Sequence, residues 1–365
     1  MDAKDRKYLD EYFALYHRSL IETDIISKLL FFRDLCLEVQ KQKKKLIFVG
    51  NGASASMSSQ AATYYTQHGK VRAIAFNDHN LITGYGNDYG YENWVSQALE
   101  AYADPEDVVV LISSSGSSPN IVNAARYAQS KGLKCVTFSG FSADNPLRKL
   151  GDLNLWLDSR EYNVVECTHL TWILLVGNLL EDKKLDNSFI KKGLSNISDL
   201  LASNQYDENI VAFRDICNKI KKRSGKLIFT GNGGSSSIAS HAATDFTKQS
   251  YMRSVAFNDH NLLTAFANDY GQTNWMVRSI EAYAEKNDAV VLISTSGCSQ
   301  NILNAANVSI DMNLPLVTFS AQDSENPLRQ LGVINYWVAC DAYSVVQSLH
   351  SILLFTVCDM LAVKE

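Results

Sequence analysis

The sequence predicts an α/β fold built from two tandem, doubly wound parallel-sheet domains. At 365 residues the chain is longer than a single hydrophobic core usually supports. It is also duplicated, since Lys45–Ser54 returns as Lys226–Ser235, with lysine, leucine, isoleucine and phenylalanine leading into a glycine-rich turn both times. Within each copy, short β-branched runs alternate with helical patterns. Strict alternation of this kind indicates a parallel sheet with right-handed crossovers and helices on both faces.

The duplication extends over nearly the whole chain at a constant offset of 181 residues (226 − 45). Five further segments of the first copy recur at this offset: Phe32–Asp34, Ala75–Asn80, Asn87–Gly90, Val109–Gly116 and Asn145–Arg148. A period of this length is too long for a solenoid repeat, so each copy is expected to be a complete domain. We place the domains at residues 1–183 and 184–365, with the boundary in the polar stretch Glu181–Asn187.

The first copy contains five predicted strands and three clear predicted helices. The strands are Leu46–Val49, Ala73–Phe76, Val108–Ile112, Lys134–Phe138 and Leu153–Trp156. The helices are Ala55–Thr66, Glu92–Tyr102 and Pro119–Lys131. A long amphipathic pair is expected before the first strand and an apolar helix after the last. Trp94 and Trp275 are expected in the core.

Composition excludes several classes of function. A net charge of −5 offers no basic face to nucleic acid, so no nucleic-acid partner is expected. The apolar stretches at residues 170–180 and 352–363 contain Asn178 and Asp359 and are shorter than a bilayer span. They predict buried helices and no membrane partner. The charged segment Met1–Arg6 is unlike a secretion signal, and seven cysteines without a C-x-x-C pair indicate free thiols, so the cytoplasm is expected.

Two turns that follow predicted strands carry unusual chemistry. Gly50–Ser54 and its copy Gly231–Ser235 combine glycines with a serine near the start of a helix. Ser113–Ser118 and its copy in the second half are rich in hydroxyls and run into predicted helices. Here Ser118 is expected to be the N-cap residue, with proline at the first helical position. Free backbone N–H groups, hydroxyls and the helix dipole would then converge into a phosphate site without a lysine.

A plainer interpretation is that serine-rich turns only cap helices. Two such turns on adjacent strands, both retained through a duplication, favour phosphate binding. The nucleotide-binding patterns G-x-G-x-x-G and G-x-x-x-x-G-K-[ST] are absent from these turns, which disfavours a Rossmann dehydrogenase or a P-loop enzyme.

The G-N-G-x-S turn, the N-D-[YF]-G segment and the I-S-x-S-G-x-S turn together resemble the sugar isomerase (SIS) domain, in its phosphoheptose isomerase branch. The resemblance covers each half nearly end to end and implies a flavodoxin-like domain. It implies phosphate binding by Ser54, Ser113, Ser115 and Ser118, and by Ser235, Ser294, Ser296 and Ser299 in the second copy. It implies contacts to sugar hydroxyls from Asn51, Asp88, Asn232 and Asp269.

Aldose–ketose isomerisation moves a proton between neighbouring carbons, so it needs a base and a proton shuttle. In the resembled branch, these groups lie on the helix after the first turn and on the last helix. On the first of these helices, the second copy has His241 and Asp245, four residues apart and so on one face. The first copy has Gln60 and Tyr64 at the matching places. The family usually carries glutamate at the position of Asp245, which is one methylene longer.

On the last helix, the first copy has Glu166 and His169, and the second has Gln347 and His350. These four residues complete the candidate catalytic set. The second histidine that the family carries on this helix aligns with Leu174 and Phe355. For His169 and His350, a role in helix packing and a role in catalysis are weighed equally.

Catalysis would be possible if the two halves pack as a pseudo-dimer. His241 and Asp245 would then share a cleft either with Glu166 and His169 or with Gln347 and its neighbouring histidine. No cofactor is required for this chemistry. Zinc is an alternative, held by His241, Asp245 and Gln347 or Glu166 with water completing the set.

Two classes of function follow. The first is a phosphosugar aldose–ketose isomerase, acting on sedoheptulose 7-phosphate or a related sugar phosphate through an enediol. The second is a non-catalytic phosphosugar sensor or assembly protein, because fold alone cannot choose between the two. A third arrangement, the tandem isomerase of amino-sugar synthesis, uses a lysine near the C-terminus, where this chain has Lys364. In each case the partner is a small sugar phosphate, and the expected assembly is a homodimer.

Overall fold

The computed structural model describes residues 1–363, so Lys364 lies outside the described residues. It confirms the predicted fold class, with two parallel five-stranded sheets. The strands of the first sheet are β1 Leu46–Gly50, β2 Ala73–Ala75, β3 Val108–Ser113, β4 Lys134–Ser139 and β5 Leu153–Trp156. Those of the second are β6 Leu227–Gly231, β7 Ser254–Ala256, β8 Ala289–Ile293, β9 Leu316–Ala321 and β10 Ile334–Val338.

Both sheets have the same strand order, β2-β1-β3-β4-β5 in the first and β7-β6-β8-β9-β10 in the second. This is the flavodoxin-like order, in which the chain reverses direction across the sheet between the first and third strands. The first and third strands of each sheet are completely buried. Buried on both faces, such strands are continuous apolar runs rather than alternating ones.

Fourteen helices flank the sheets in the described residues. Those up to the end of the first copy are α1 Ala3–His17, α2 Ile26–Lys41, α3 Ala53–Gln67, α4 His79–Tyr89, α5 Trp94–Tyr102, α6 Pro119–Ser130 and α7 Tyr162–Glu181. The rest are α8 Asn187–Ala202, α9 Asp207–Lys222, α10 Gly234–Lys248, α11 His260–Tyr270, α12 Trp275–Tyr283, α13 Gln300–Asp311 and α14 Tyr343–Ala362. A π-helical turn spans Arg18–Glu22, and 3₁₀ turns span Leu147–Lys149 and Pro327–Gln330.

The chain forms two compact units. The first-repeat unit contains residues 14–198, and the second-repeat unit contains residues 1–13 together with 199–365. Within the second-repeat unit, Arg6 forms an ion pair with Asp207 of α9, and Asp5 forms one with Arg214. These pairs attach the first helix to the second repeat. The predicted domain bounds, 1–183 and 184–365, are the bounds of the two sequence copies. The compact units have different bounds, because residues 1–13 belong to the second-repeat unit.

The strand predictions agree with the structure to within one residue at each end. Trp94 and Trp275 are buried as expected, at 2% and 1% exposed. No helix was predicted at α4 or α11. Both contain apolar residues at helical spacing that pack against the core of their unit, Leu81, Ile82 and Tyr85 in α4 and Leu262, Leu263 and Phe266 in α11, so the pattern was present in the sequence and was overlooked.

The helices α7 and α14 are long and apolar enough to cross a membrane by length and composition alone. In the structure, 94% and 78% of their apolar windows are buried inside the protein. They are therefore the central core helices of the two units, as the sequence predicted.

Candidate active site

The two predicted phosphate turns of each copy begin side by side. In the first-repeat unit, Gly50 at the end of β1 pairs with Ile112 of β3. In the second-repeat unit, Gly231 pairs with Ile293 in the same way. Both turns therefore emerge at the carboxyl edge of the sheet, at the point where the strand order reverses, which is where ligands bind in such sheets.

Glycines give the first turn its tight path into the following helix. Gly52 has a φ of +54°, in the left-handed region that favours glycine. A Cβ on Gly50 would lie 2.4 Å from the Cβ of Ser54. The turn therefore closes over Ser54, which is only 2% exposed, and its copy closes over Ser235 in the same way.

A reciprocal pair of asparagines joins the two turns in each unit. Asn51 Nδ2 donates to Asn120 Oδ1 at 3.0 Å, and Asn120 Nδ2 donates back at 2.9 Å. Asn232 and Asn301 form the matching pair at 3.0 and 2.8 Å. The sequence analysis assigned the first asparagine of each pair to the sugar and missed the second, although both recur at the offset of 181 residues.

The serine turn does not simply cap its helix. Ser118 is the N-cap residue of α6 with proline next to it, as predicted, but its side chain makes no capping hydrogen bond. Its Oγ lies 3.1 Å from Ser113 Oγ instead. Ser299 at the start of α13 also makes no side-chain capping bond. This observation weakens the capping interpretation and leaves the hydroxyls and helix N-termini available to an anion.

A third asparagine in each unit packs against the serine turn. Gly116 has a φ of +63°, and a Cβ there would lie 2.0 Å from Asn145 Oδ1. Gly297 has the same relation to Asn326. Asn145 is itself held by bonds from its Nδ2 to Ser139 Oγ and Gly140 O, each at 3.2 Å. The turn and its brace therefore form one closely packed body.

The aspartates predicted to contact sugar hydroxyls are at the surface of their units. Asp88 of α4 and Asp269 of α11 are exposed. Each accepts a 2.9 Å hydrogen bond from the asparagine that precedes it. Their role in sugar binding stays a prediction.

The last helix contacts the serine turn in both units, through different side chains. In the first-repeat unit, Ser114 Oγ donates to Glu166 Oε1 at 2.9 Å. In the second-repeat unit, Gln347 Nε2 donates to Thr295 Oγ1 at 2.7 Å and to Ser235 Oγ at 3.1 Å. Gln347 thus links the first and second turns of its unit. Glu166 is the residue of the first copy that aligns with Gln347, and it contacts the serine turn through a carboxylate.

His241 and Asp245 meet on one face of α10, as their spacing predicted. His241 Nε2 lies 3.1 Å from Asp245 Oδ2, and both residues are 5% exposed. Gln249, one turn further on, donates from Nε2 to the same Oδ2 at 2.7 Å. The sequence analysis missed Gln249, although its spacing of four from Asp245 was a readable signal.

The first-repeat unit uses the matching positions differently. Tyr64 donates to Glu181 Oε2 at 3.0 Å and accepts from Asn178 Nδ2 at 2.9 Å. Gly177 of α7 makes room for the ring, because a Cβ there would lie 2.4 Å from Tyr64 Cε1. This face of α3 is therefore tied to the core helix of its own unit.

His169 and His350 are placed inside the two cores. Each is 0% exposed, and each faces a backbone carbonyl through Nε2 at 3.1 Å, Ser139 O for one and Ser320 O for the other. Burial lowers the pKa of both imidazoles to about 4. Neutral, enclosed imidazoles of this kind favour the packing role over the catalytic role that the sequence left equally open.

The buried histidines predict an acid-dependent loss of stability. Below the ordinary pKa of 6.5 the unfolded chain takes up a proton on each imidazole, whereas the folded chain does not until about pH 4. Stability is therefore complete above this window and falls as the pH falls, by about 2 kcal/mol for each histidine at pH 5.

Urea denaturation at pH 7 and pH 5 measures this effect. The double variant His169→Gln/His350→Gln keeps a side-chain donor for each carbonyl but cannot titrate. We expect it to lose less stability than the wild type between the two pH values. An identical loss of stability in the wild type and the double variant would contradict the conclusion that these two histidines are buried as neutral imidazoles.

Two of the residues predicted to hold zinc, His241 and Asp245, lie together in the second-repeat unit, with His241 Nε2 3.1 Å from Asp245 Oδ2. A catalytic zinc takes three protein ligands, and Asp245 Oδ2 also accepts a hydrogen bond from Gln249 Nε2. The position where the resembled family has its second histidine holds Phe355, whose ring centroid lies 3.8 Å from that of His241. A phenyl ring offers no ligand atom, so the third ligand would have to be Gln347 or Glu166, and zinc binding stays a prediction from the sequence.

A known domain family matches both repeats of the chain. The SIS domain family matches residues 7–140 and 192–321. The phosphoheptose isomerase of Helicobacter pylori is 34% identical over 146 residues, 38% of this chain and 74% of that protein. That of Burkholderia pseudomallei is 33% identical over 154 residues, 40% of this chain and 78% of that protein.

Among solved structures, tagatose-6-phosphate ketose/aldose isomerase from Escherichia coli matches with a TM-score of 0.63 at 13% identity. The match covers 98% of this chain and 93% of that one, and supports the fold alone. Because the family covers most of both repeats, the chain belongs to the SIS domain family.

Proposed function

We propose that this protein is a phosphosugar aldose–ketose isomerase that acts on sedoheptulose 7-phosphate or a related sugar phosphate. The observation that carries the proposal is the buried His241–Asp245 pair, at 3.1 Å, in a protein whose units each hold two serine-bearing turns at the carboxyl edge of the sheet. The names of the curated relatives, phosphoheptose isomerases, support the same reaction class.

The serine turns would hold the phosphate group. A helix N-terminus presents backbone N–H groups and the positive end of the helix dipole, both of which favour an anion. Ser113, Ser115 and Ser118 add hydroxyl donors in the first-repeat unit, and Ser294, Ser296 and Ser299 add them in the second. Ser54 and Ser235 complete the two sets. Neutral donors of this kind bind phosphate without a lysine.

The reaction itself needs only proton transfers. A base removes the proton from the carbon next to the carbonyl while the carbonyl oxygen gains a proton, which gives an enediol. Returning a proton to the neighbouring carbon, with loss of one from the other oxygen, gives the isomeric sugar. No electron acceptor is consumed, so the imidazole and carboxylate of His241 and Asp245 supply the required groups. Which serine turn they serve, and whether Glu166 or Gln347 assists them, stay predictions from the sequence.

The working form we propose is a cytoplasmic homodimer. All seven cysteines are free thiols, which supports a reducing compartment.

A second candidate function is a phosphosugar sensor. The observation that favours it is the first-repeat unit, where the asparagine pair and serine turn are retained while Tyr64 is bonded to Glu181 and Asn178. A protein that needs only to bind a sugar phosphate would keep the turns and could lose the acid–base groups.

Thermal-shift screening against a panel of sugar phosphates, with product analysis of every compound that stabilises the protein, separates the two candidates. The isomerase predicts at least one compound, seven-carbon sugars included, that both raises the melting temperature and is converted to its isomer. Stabilisation without conversion would favour the sensor, and an absence of both would contradict the phosphosugar assignment.

A further inference from the structure

A tyrosine hydroxyl is bonded to the asparagine pair of the first-repeat unit. Tyr91 donates from its hydroxyl to Asn51 Oδ1 at 3.1 Å, and Asn120 Nδ2 donates to the same oxygen at 2.9 Å. A side-chain amide oxygen has two lone pairs, so both acceptor positions of Asn51 Oδ1 are filled. Asn51 therefore accepts no further hydrogen bond while Tyr91 stays in place.

The matching pair of the second-repeat unit keeps one acceptor position open. Asn232 Oδ1 accepts from Asn301 Nδ2 at 2.8 Å, and no other donor among the described residues reaches it. Gln272 stands at the position of Tyr91 (272 − 91 = 181) and makes no hydrogen bond within residues 1–363. Asn232 is exposed, whereas Asn51 is half-buried. The two units thus present different hydrogen-bonding groups at the same turn.

Backbone geometry and packing place Tyr91 beside the turn. Gly90, with a φ of +82°, follows the last residue of α4, and Asn93 N donates to its carbonyl oxygen at 3.0 Å. A Cβ on Gly86 would lie 3.9 Å from Tyr91 Cδ2, so the ring lies beside α4. Tyr91 is nevertheless 56% exposed. Its side chain can therefore turn into solvent without disturbing the core.

We propose that the Tyr91 hydroxyl occupies at Asn51 the position that a sugar hydroxyl occupies at Asn232. Asn51 and Asn232 are predicted to contact sugar hydroxyls, and Asp88, with the same predicted role, lies three residues before Tyr91. A ligand of the first-repeat unit has to displace the phenol, whereas a ligand of the second-repeat unit finds the amide oxygen open. Tyr91 is thus a specificity-determining residue that weakens sugar binding in the first-repeat unit. The inference rests on the proposed function, which it deepens.

The expected size of the effect is that of one hydrogen bond. A ligand that displaces Tyr91 exchanges one bond to Asn51 Oδ1 for another, and a net intramolecular hydrogen bond changes an equilibrium constant by about 3–10-fold. Inorganic phosphate has no sugar hydroxyl and would be held by the serine turn and the helix N-terminus. Its binding is therefore expected to be independent of the tyrosine hydroxyl.

Calorimetric titration of one unit at a time tests the proposal. In Gly297→Ala the added Cβ would collide with the asparagine packed against the second serine turn, which leaves the first-repeat site to be measured alone. In that background we expect Tyr91→Phe, which keeps the ring and removes the hydroxyl, to lower the Kd of sedoheptulose 7-phosphate by about 3–10-fold. The Kd of inorganic phosphate should stay unchanged.

Gln272→Ala in the Gly116→Ala background is the matched control. Gly116→Ala disturbs the first serine turn in the same way and leaves the second-repeat site. Because Gln272 makes no hydrogen bond to Asn232 in the described structure, its truncation should leave the Kd of sedoheptulose 7-phosphate unchanged.

Carbon-13 NMR of the tyrosine Cζ atoms makes the same test in the wild type and needs no glycine variant. The chain has 17 tyrosines, and Tyr91→Phe identifies the Tyr91 signal by its loss. Breaking the bond to Asn51 changes the shielding of Cζ. We therefore expect this signal to move when sedoheptulose 7-phosphate saturates the protein. A signal that stays in place at saturation would overturn the proposal.

Failure of the inference and failure of the proposed function give different results. If sugar phosphate binds and Tyr91→Phe leaves its Kd unchanged or raises it, the tyrosine does not compete with the ligand, and the inference is wrong while the proposed function stands. If neither the wild type nor Tyr91→Phe binds any sugar phosphate, the proposed function fails and the inference fails with it.

Discussion

Replacing His241 by alanine is expected to lower the rate of phosphosugar isomerisation by about 10²–10⁴-fold, the contribution typical of a positioned acid–base group. The KM for the sugar phosphate should change little, because the Ser294–Ser299 turn precedes α13 and Ser235 lies at the start of α10, six residues before His241 (241 − 235). Product formation by the purified variant, measured against the wild type, checks this expectation.

The His241→Ala experiment needs two controls. His241 is 5% exposed, so truncation leaves a cavity, and a melting curve must establish that the variant is folded. Gln60→Ala alters the matching position of the first repeat and is expected to keep wild-type turnover. If His241→Ala and Asp245→Asn both isomerised sugar phosphates at the wild-type rate, the catalytic assignment would fail.

Replacing Gly116 or Gly297 by alanine is expected to abolish the phosphate site of its own unit. Both residues have a positive φ, +63° and +64°, and the added Cβ would lie 2.0 Å from the Oδ1 of Asn145 or Asn326. Each asparagine also has backbone partners, so it cannot move aside at low cost. The serine turn must shift, which misplaces hydroxyls and N–H groups together.

The matched control for these glycine variants is Gly132→Ala. Gly132 has a φ of +70°, but a Cβ there would meet nothing within 4 Å. The Gly132→Ala variant therefore has the backbone strain of a positive φ, about 1–3 kcal/mol, but its Cβ does not clash with another side chain. Calorimetric titration with a sugar phosphate should find binding lost in at least one of Gly116→Ala and Gly297→Ala and intact in Gly132→Ala. Wild-type affinity in both turn variants would contradict the assignment of the turns to phosphate.

Much of the fold could be predicted because the same pattern of strands and turns occurs in both copies of the sequence. The strands are short runs rich in apolar residues, β1 and β3 are each followed by a glycine- or serine-bearing turn, and the copy at an offset of 181 residues repeats both signals. The helices α4 and α11 were missed although apolar residues recur in both at helical spacing. Neither contains a fully buried residue, and Gly84 and Gly86 lower the helix propensity of α4, so their signal is weaker than that of the core helices.

The sequence repeat did not predict which residues belong to which compact unit. The sequence alone cannot reveal that Arg6 pairs with Asp207, or Asp5 with Arg214. These contacts join residues some 200 positions apart, and no local pattern encodes them. The repeat offset reports only the duplication of the sequence. The bounds of a compact unit depend on which helices and strands pack together, as α1 does with α9 through these ion pairs.

For the site, the turns were predictable and the individual roles were not. Position after a buried strand was enough to single out Gly50–Ser54 and Ser113–Ser118. Spacing of four was enough to pair His241 with Asp245. Residue spacing could not show that His350 and His241 have different surroundings. In the structure, His350 faces a backbone carbonyl in a closed core, whereas His241 faces the carboxylate of Asp245. Only the packing around each imidazole distinguishes them.

The most direct test of the central claim is conversion of a sugar phosphate in deuterium oxide by the wild type and by His241→Ala. Proton transfer through an enediol predicts that the wild type forms the isomeric sugar with solvent deuterium on the carbon that accepts the returned proton. It predicts little isomer and little deuterium with the variant. Binding of sugar phosphate by the wild type with neither isomer nor deuterium incorporation would contradict the account and leave a phosphosugar-binding protein.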